Sequence, residues 1–208
     1  MPRRAHENTL PSFAAALAAG ASGIELDVHA TVDDVVIVHH DPAVRGLEIR
    51  RSRWSDIAGI QLAPDVGIPT LDEVCALVHG VAELFVEIKG AGIERLVVDV
   101  LAGYDGAASI HSFDHALIAR TARLDPTRRV GLLFEDEITD PSGAMRAAGA
   151  RDLWPHHTLV TEALVAAAHA IGGRVIPWTV NDDSVARRLA GWGVDGLCTD
   201  DVSLLPRT

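Results

Sequence analysis

Apolar and polar positions along the chain follow two alternating patterns. Short runs rich in β-branched residues are separated by Ala- and Leu-rich segments of helical length, which is typical of βα units around a parallel sheet. Strands are predicted at residues 23–28, 84–88, 108–113, 130–134, 151–154, 174–179 and 195–198. Helices are predicted at residues 10–19, 70–78, 93–101, 116–124, 142–148, 161–171 and 184–190.

The beginning of the chain departs from this simple alternation. An extra apolar run at residues 35–39 follows the first strand after a loop too short for a crossover helix, so the two are predicted to form a β-hairpin. No strand is predicted before the first helix, since few residues precede it. Seven strands and an unpaired leading helix indicate an α/β fold, a TIM-type (β/α)8 barrel that lacks its first strand in this chain. No linker-like segment interrupts the sequence, which predicts one domain over residues 1–208.

Charge and hydropathy narrow the possible partners and location. The formal net charge of −11 disfavours binding to nucleic acid or to anionic membrane surfaces. No apolar run reaches the roughly 18 residues needed to span a membrane, and nothing after the first basic residues is like a signal peptide. Cys75 and Cys198 lack metal-ligand spacing and are predicted to be buried thiols in a reducing compartment. We therefore expect a cytoplasmic protein.

Two acidic residues occur within the first predicted strand. The period of two in a strand places Glu25 and Asp27 on one face, whereas Ile24, Leu26 and Val28 point to the other. Buried carboxylates need a cation, hydrogen bonds or solvent, and a hard divalent metal would satisfy both. An exposed polar face is the alternative interpretation.

A second strand adds charged residues to this pattern. Glu87 and Lys89 are the charged residues of the otherwise apolar run at residues 84–89. Charged residues at the carboxyl ends of barrel strands face the site. Glu25, Asp27 and Glu87 could together hold one Mg²⁺ or Ca²⁺. Lys89 could then neutralise a substrate phosphate, although a structural Lys–Glu pair is the alternative.

Histidines supply candidates for proton transfer. His40 lies at the end of the predicted hairpin, is followed by Asp41, and can titrate near neutral pH. His39 should point the opposite way if the strand persists, so only one of the two can face the acidic residues. His111, His156 and His157 also lie at predicted strand ends, and their roles are left open.

Eight short motifs occur in order along almost the whole chain. They are Glu7-Asn8-Thr9, Glu25-x-Asp27, Val38-His39-His40-Asp41, Ile68-Pro69-Thr70-Leu71, Glu87-Ile88-Lys89, Ser112-Phe113, Trp178-Thr179-Val180-Asn181 and the segment from Gly193 to Asp200. Together they closely resemble the glycerophosphodiester phosphodiesterase family.

The resemblance implies an enzyme that hydrolyses glycerophosphodiesters, which are small-molecule substrates, to glycerol 3-phosphate and an alcohol. It implies a metal on the three acidic residues already named, and it makes His40 one of two catalytic histidines. It further implies that Lys89 helps to bind phosphate and that Trp178 borders the substrate pocket. Core packing is the alternative interpretation for Trp178.

One family feature is missing from the sequence. Family members begin with a strand ending in His-Arg-Gly, which supplies the second histidine and an arginine, and no such motif precedes Glu7. Arg3 and Arg4 are expected in the loop after that lost strand. Either the natural protein starts further upstream, or this chain is a degenerate barrel with impaired catalysis. The latter could bind glycerophosphate-like ligands without turnover, and a third possibility is a phosphodiesterase for another substrate such as a lysophospholipid.

Overall fold

The computed structural model describes residues 6–90 and 92–204. Arg3 and Arg4 lie outside these residues. The chain divides into two compact units, one ending at Ser109 and the other beginning at Ile110. In its described residues, the first unit combines α-helices with one parallel and three antiparallel strand pairs, whereas the second alternates α-helices with parallel β-strands. The single domain over residues 1–208 stays a prediction.

The described part of the first unit contains four α-helices and seven β-strands. Its helices are α1 (Leu10–Ala18), α2 (Trp54–Ile57), α3 (Leu71–Val78) and α4 (Glu94–Ala102). Its strands are β1 (Gly23–Ala30), β2 (Val36–Val38), β3 (Ala43–Val44), β4 (Leu47–Glu48), β5 (Gln61–Ala63), β6 (Val66–Gly67) and β7 (Glu83–Ile88). Strand β1 pairs parallel with β7 and antiparallel with β2, so the predicted hairpin is present.

Helix α1 opens without a strand before it in the described part of the chain. The Thr9 hydroxyl caps the helix by accepting a hydrogen bond from the backbone N–H of Ser12, and a proline lies in its first turn. His6, the first described residue, accepts a hydrogen bond at its carbonyl oxygen from the Thr9 hydroxyl. This tight turn leads directly into the helix, as the sequence predicts.

A segment between β2 and α3 forms its own small core. Its buried apolar side chains come from β2, β3, α2 and the residues directly after β4 and β6: Ile37, Val44, Ile49, Ile57 and Ile68. The sequence patterns predict no helix or strand between residues 39 and 70, because the strands β3 to β6 have only two or three residues each. This core anchors the chain on both sides of the β2 end, where His40 lies.

The second unit alternates strands with helices. It begins within β8 (Ala108–Ser112) and continues through α5 (His115–Leu124), β9 (Arg129–Phe134), α6 (Pro141–Ala148), β10 (Asp152–Pro155), α7 (Glu162–His169), β11 (Arg174–Val175) and α8 (Asp183–Gly191). The strands lie in the order β8, β9, β10, β11. Strand β10 pairs parallel with both β9 and β11.

Two predicted strands near the end of the chain are wrong in extent or absent. The strand expected at residues 174–179 is only Arg174–Val175, and residues 195–198 form no strand. Backbone N–H groups of Asp195 and Cys198 still donate to the carbonyl oxygens of Val175 and Pro177. Pro177 has no N–H to return a bond, and the Val175 N–H binds the Asp195 carboxylate instead. A return bond exists further along, where the Val180 N–H donates to the Cys198 carbonyl oxygen at 2.8 Å. The ladder is therefore interrupted at Pro177 and does not become a regular strand pair.

The helices and the two cysteines bear on the predicted location. In residues 6–90 and 92–204, every helix is too short or too polar to cross a bilayer. Cys75 and Cys198 are not joined by a disulfide. Cys75 is buried as predicted, whereas Cys198 is only partly buried.

Candidate active site

The carboxylates of β1 lie on the face opposite the buried apolar residues. Ile24, Leu26 and Val28 are at most 3% exposed on one face. Asp27 is 6% exposed on the other face, and Glu25 beside it is partly buried. An exposed polar face, the alternative interpretation, is therefore not what the fold produces. These two acids need partners inside the protein.

Strand β7 brings a third carboxylate and a lysine to the same place. The parallel register sets Glu87 opposite Asp27, and carboxylate oxygens of Glu25 and Glu87 lie within 4.8 Å of each other. The ammonium Nζ of Lys89 lies 3.1 Å from Asp27 Oδ1 and 2.9 Å from Glu87 Oε1. All four predicted residues thus meet in one cluster, which we call the acidic cluster.

The acidic cluster holds more negative charge than Lys89 offsets. Burial raises the pKa of Glu25 well above its usual value, and the charge of Asp27 raises it further. Burial acts to lower the pKa of Lys89, but Asp27 and Glu87 outweigh it, so the pKa of Lys89 is raised. A divalent cation bound to the carboxylate oxygens would relieve the repulsion and favour ionised Glu25. The residues therefore fit a hard, oxygen-liganded ion.

Asn8 holds Asp27 from the turn before α1. The Asn8 side-chain amide donates to Asp27 Oδ2 at 2.7 Å, and its oxygen accepts the Asp27 backbone N–H at 3.0 Å. Asn8 is 8% exposed and has φ 55°, a left-handed conformation that Asn adopts more readily than most residues. Sequence reasoning assigned Asn8 no role, because its only signal was its place in the Glu-Asn-Thr motif.

His40 lies just beyond β2 and is tied down through its backbone. Its Nδ1 lies 2.9 Å from Asp41 Oδ1, and this hydrogen bond raises the pKa of His40 above its usual value. The His40 carbonyl oxygen lies 3.1 Å from Nε2 of His29, so that nitrogen must carry a proton and donate. His39 is tied to β1 by its backbone N–H, which donates to the Asp27 carbonyl oxygen at 2.9 Å. The predicted strand at 35–39 is shorter than expected, and both histidines follow its last residue, Val38.

Electrostatics connect His40 with the acidic cluster. Its positive form lowers the pKa of Glu25, and the charge of Asp27 in turn acts to raise the pKa of His40. The His40 side chain is 54% exposed and can therefore exchange protons with solvent or a ligand. His29, by contrast, is buried, and burial lowers its pKa.

Trp178 belongs to an aromatic group in the second unit. Its ring packs edge to face with Phe113 and His156, at centroid distances of 5.5 and 5.3 Å. Its indole N–H donates to the Trp154 carbonyl oxygen at 3.0 Å. His111 stacks on Trp154 with centroids 4.4 Å apart. Trp178 is partly buried and Phe113 is exposed, so Trp178 is not enclosed as an ordinary core residue.

A sequence model described as the Glycerophosphoryl diester phosphodiesterase family matches residues 1–204. This chain belongs to the glycerophosphoryl diester phosphodiesterase family. The predicted family is therefore confirmed, and with it the class of phosphoric diester hydrolase.

Relatives and solved structures agree with this membership. A glycerophosphodiester phosphodiesterase from Caldanaerobacter subterraneus subsp. tengcongensis is 30% identical over 220 residues, which cover 96% of this chain and 90% of the relative. The crystal structure of a glycerophosphodiester phosphodiesterase from Thermotoga maritima is 26% identical, with a TM-score of 0.85 over 97% of this chain and 92% of that chain. A phosphodiesterase from Oleispira antarctica, solved in complex with the product sn-glycerol-3-phosphate, is 23% identical with a TM-score of 0.86, covering 93% and 87%. These likenesses confirm the TIM-type α/β fold class.

Sequence reasoning predicted which charged groups meet, and it missed the hydrogen bonds that support them. Glu25, Asp27, Glu87 and Lys89 meet in the acidic cluster of the first unit, where the sequence predicted them. The supports are Asn8 on Asp27 and His29 on the backbone of His40. Alternation along β1 predicts that His29 lies on the face of Asp27, but it gives no sign of the hydrogen bond to His40. The hydrogen bonds themselves join residues 19 and 11 positions apart and leave no local signal.

Proposed function

We propose that this protein hydrolyses glycerophosphodiesters to glycerol 3-phosphate and an alcohol with the help of a divalent cation, Mg²⁺ or Ca²⁺. The observation that carries the proposal is the acidic cluster, in which three carboxylates face one lysine. Family membership supports the reaction class.

Glu25, Asp27 and Glu87 are the proposed metal ligands. When bound, the cation would polarise the phosphoryl group and offset its negative charge. The backbone positions of the three residues are fixed relative to one another, because β1 and β7 are paired over six consecutive residues from Gly23 to Val28. Lys89 adds a positive charge beside the ligands and is proposed to contact the substrate phosphate.

His40 is the proposed proton-transfer group. Its hydrogen bond with Asp41 uses Nδ1, which leaves Nε2 to give or take a proton. The raised pKa keeps a larger fraction of the imidazole protonated near neutral pH than in an ordinary histidine. A protonated imidazole suits the donation of a proton to a leaving alcohol oxygen.

Trp178 is proposed to contact the substrate, in line with the family resemblance. Its edge-to-face contacts with Phe113 and His156 orient the ring, which stays partly exposed. A small-molecule substrate and a cytoplasmic location complete the proposal. The acidic sequence, with its net charge of −11, supports a substrate other than nucleic acid.

The test is hydrolysis of glycerophosphocholine by metal-stripped protein, with release of glycerol 3-phosphate measured by a coupled dehydrogenase. Activity should be absent in chelator and return with Mg²⁺ or Ca²⁺. The variant Asp27→Asn should lose this response, whereas Asp99→Asn, on the exposed surface of α4, should keep it.

Two outcomes would contradict the proposal. Turnover unaffected by chelator would remove the cation from the mechanism. Metal binding without turnover of glycerophosphocholine would favour a binding protein, or an enzyme for another phosphodiester if a lysophospholipid assayed in parallel is hydrolysed.

A further inference from the structure

Asn8 is fixed in a conformation that few side chains accept. It is the residue before the α1 cap, it is 8% exposed, and its φ of 55° lies in the left-handed region. Asn and Gly adopt this region at low cost, whereas other residues are strained there. The backbone therefore limits the position to very few residue types before any contact is considered.

The contacts narrow the choice to an amide. Asn8 donates to Asp27 Oδ2 and accepts from the Asp27 N–H, so it needs a donor and an acceptor on one short side chain. Glycine could satisfy the backbone but neither hydrogen bond. An aspartate would present an acceptor to the Asp27 carboxylate and repel it.

The two bonds fix both the main chain and the carboxylate of Asp27. Lys89 holds the other carboxylate oxygen, Oδ1, at 3.1 Å. Asp27 thus accepts one hydrogen bond at each carboxylate oxygen, from Asn8 and from Lys89. Rotation about χ2 would break both hydrogen bonds. Each oxygen still has lone-pair capacity for a further ligand.

We infer that Asn8 is a positioning residue for the cation site: it orients the Asp27 carboxylate so that the ion meets a preformed ligand. The inference rests on the proposed function, because it concerns the same cation. Residues that hold metal ligands by hydrogen bonds commonly contribute 10- to 100-fold to metal affinity.

The experiment compares two variants that remove the same side chain. In Asn8→Gly the backbone conformation is tolerated, whereas in Asn8→Ala it is strained. Isothermal titration of metal-stripped protein with Mg²⁺ alone and with Ca²⁺ alone gives the cation Kd, and thermal unfolding gives Tm. We expect Kd to rise about 10- to 100-fold in both variants, although Tm should be lower for Asn8→Ala than for Asn8→Gly.

The matched control is Thr9→Ala. Thr9 caps the same helix, and its hydroxyl bonds to Ser12 and His6, so its loss should lower Tm and leave the cation Kd close to wild type. An unchanged Kd in Asn8→Gly would overturn the inference while leaving the proposed function intact. An equal loss of affinity in Thr9→Ala would also overturn it, because the effect would then belong to the helix. A wild-type protein that binds neither cation would overturn the proposed function together with this inference.

Discussion

Replacing His40 by alanine separates catalysis from stability in this protein. The His40 side chain is 54% exposed, and its hydrogen bond to His29 uses the backbone carbonyl oxygen, which alanine retains. Within residues 6–90 and 92–204, the side-chain bond that is lost joins two exposed groups, His40 and Asp41, and such pairs contribute little to stability. The variant should therefore fold as well as the wild type.

The expected loss of activity follows from the proposed proton transfer. A positioned general acid or base contributes about 10²- to 10⁴-fold, equivalent to about 2.7–5.4 kcal/mol of activation free energy at about 1.36 kcal/mol per factor of ten. His40→Ala should lower kcat by that factor. Cation affinity should stay near wild type, since His40 is not among the proposed ligands.

The neighbouring histidine provides the control. His39→Ala also keeps its backbone bond to Asp27 and should retain most activity. The assay is glycerophosphocholine hydrolysis at saturating Mg²⁺ or Ca²⁺, with Tm and cation titration measured on the same preparations. Unchanged turnover in His40→Ala, or an equal loss in both variants, would refute the assignment of His40.

Three further outcomes are expected. Asp41→Ala removes the hydrogen bond that raises the pKa of His40, so that pKa should fall. The part of the pH–rate profile that depends on His40 should then move to lower pH, and an unchanged profile would argue that His40 does not set it. Asp152→Ala leaves Arg129 and Arg174 without the buried carboxylate that both contact. We expect the free energy of unfolding to fall by about 3 kcal/mol, the low end for a broken buried pair because both arginines can hydrate, and Tm to fall by about 6–12 °C in calorimetry. Adding cation at about 100 times its Kd to metal-stripped protein should stabilise the fold by about 2.7 kcal/mol, visible as a rise in Tm that Asp27→Asn abolishes.

Local periodicity explains what the sequence determined. In β1 the side chains alternate between faces, so the shared face of Glu25 and Asp27 follows from their spacing alone. The same reasoning places Glu87 in β7 and Lys89, directly after it, on one face. Helix starts such as Thr70, whose hydroxyl accepts the Glu73 N–H, are also local and were predicted correctly within a residue. Family motifs added the identity of the chemistry.

Tertiary structure decided what joins these local pieces. The register of β1 against β7 sets Asp27 opposite Glu87, and no spacing within either strand encodes that offset. The hydrogen bond from Asn8 to Asp27 depends on how α1 packs against the sheet. The ladder at residues 195–198 is interrupted because Pro177, in the segment beside it, has no N–H to donate. The sequence alone determined which residues share a face, because that is fixed by backbone geometry within a few residues. Only the folded chain determined which faces meet and which hydrogen bonds close, because those depend on packing between segments far apart in sequence.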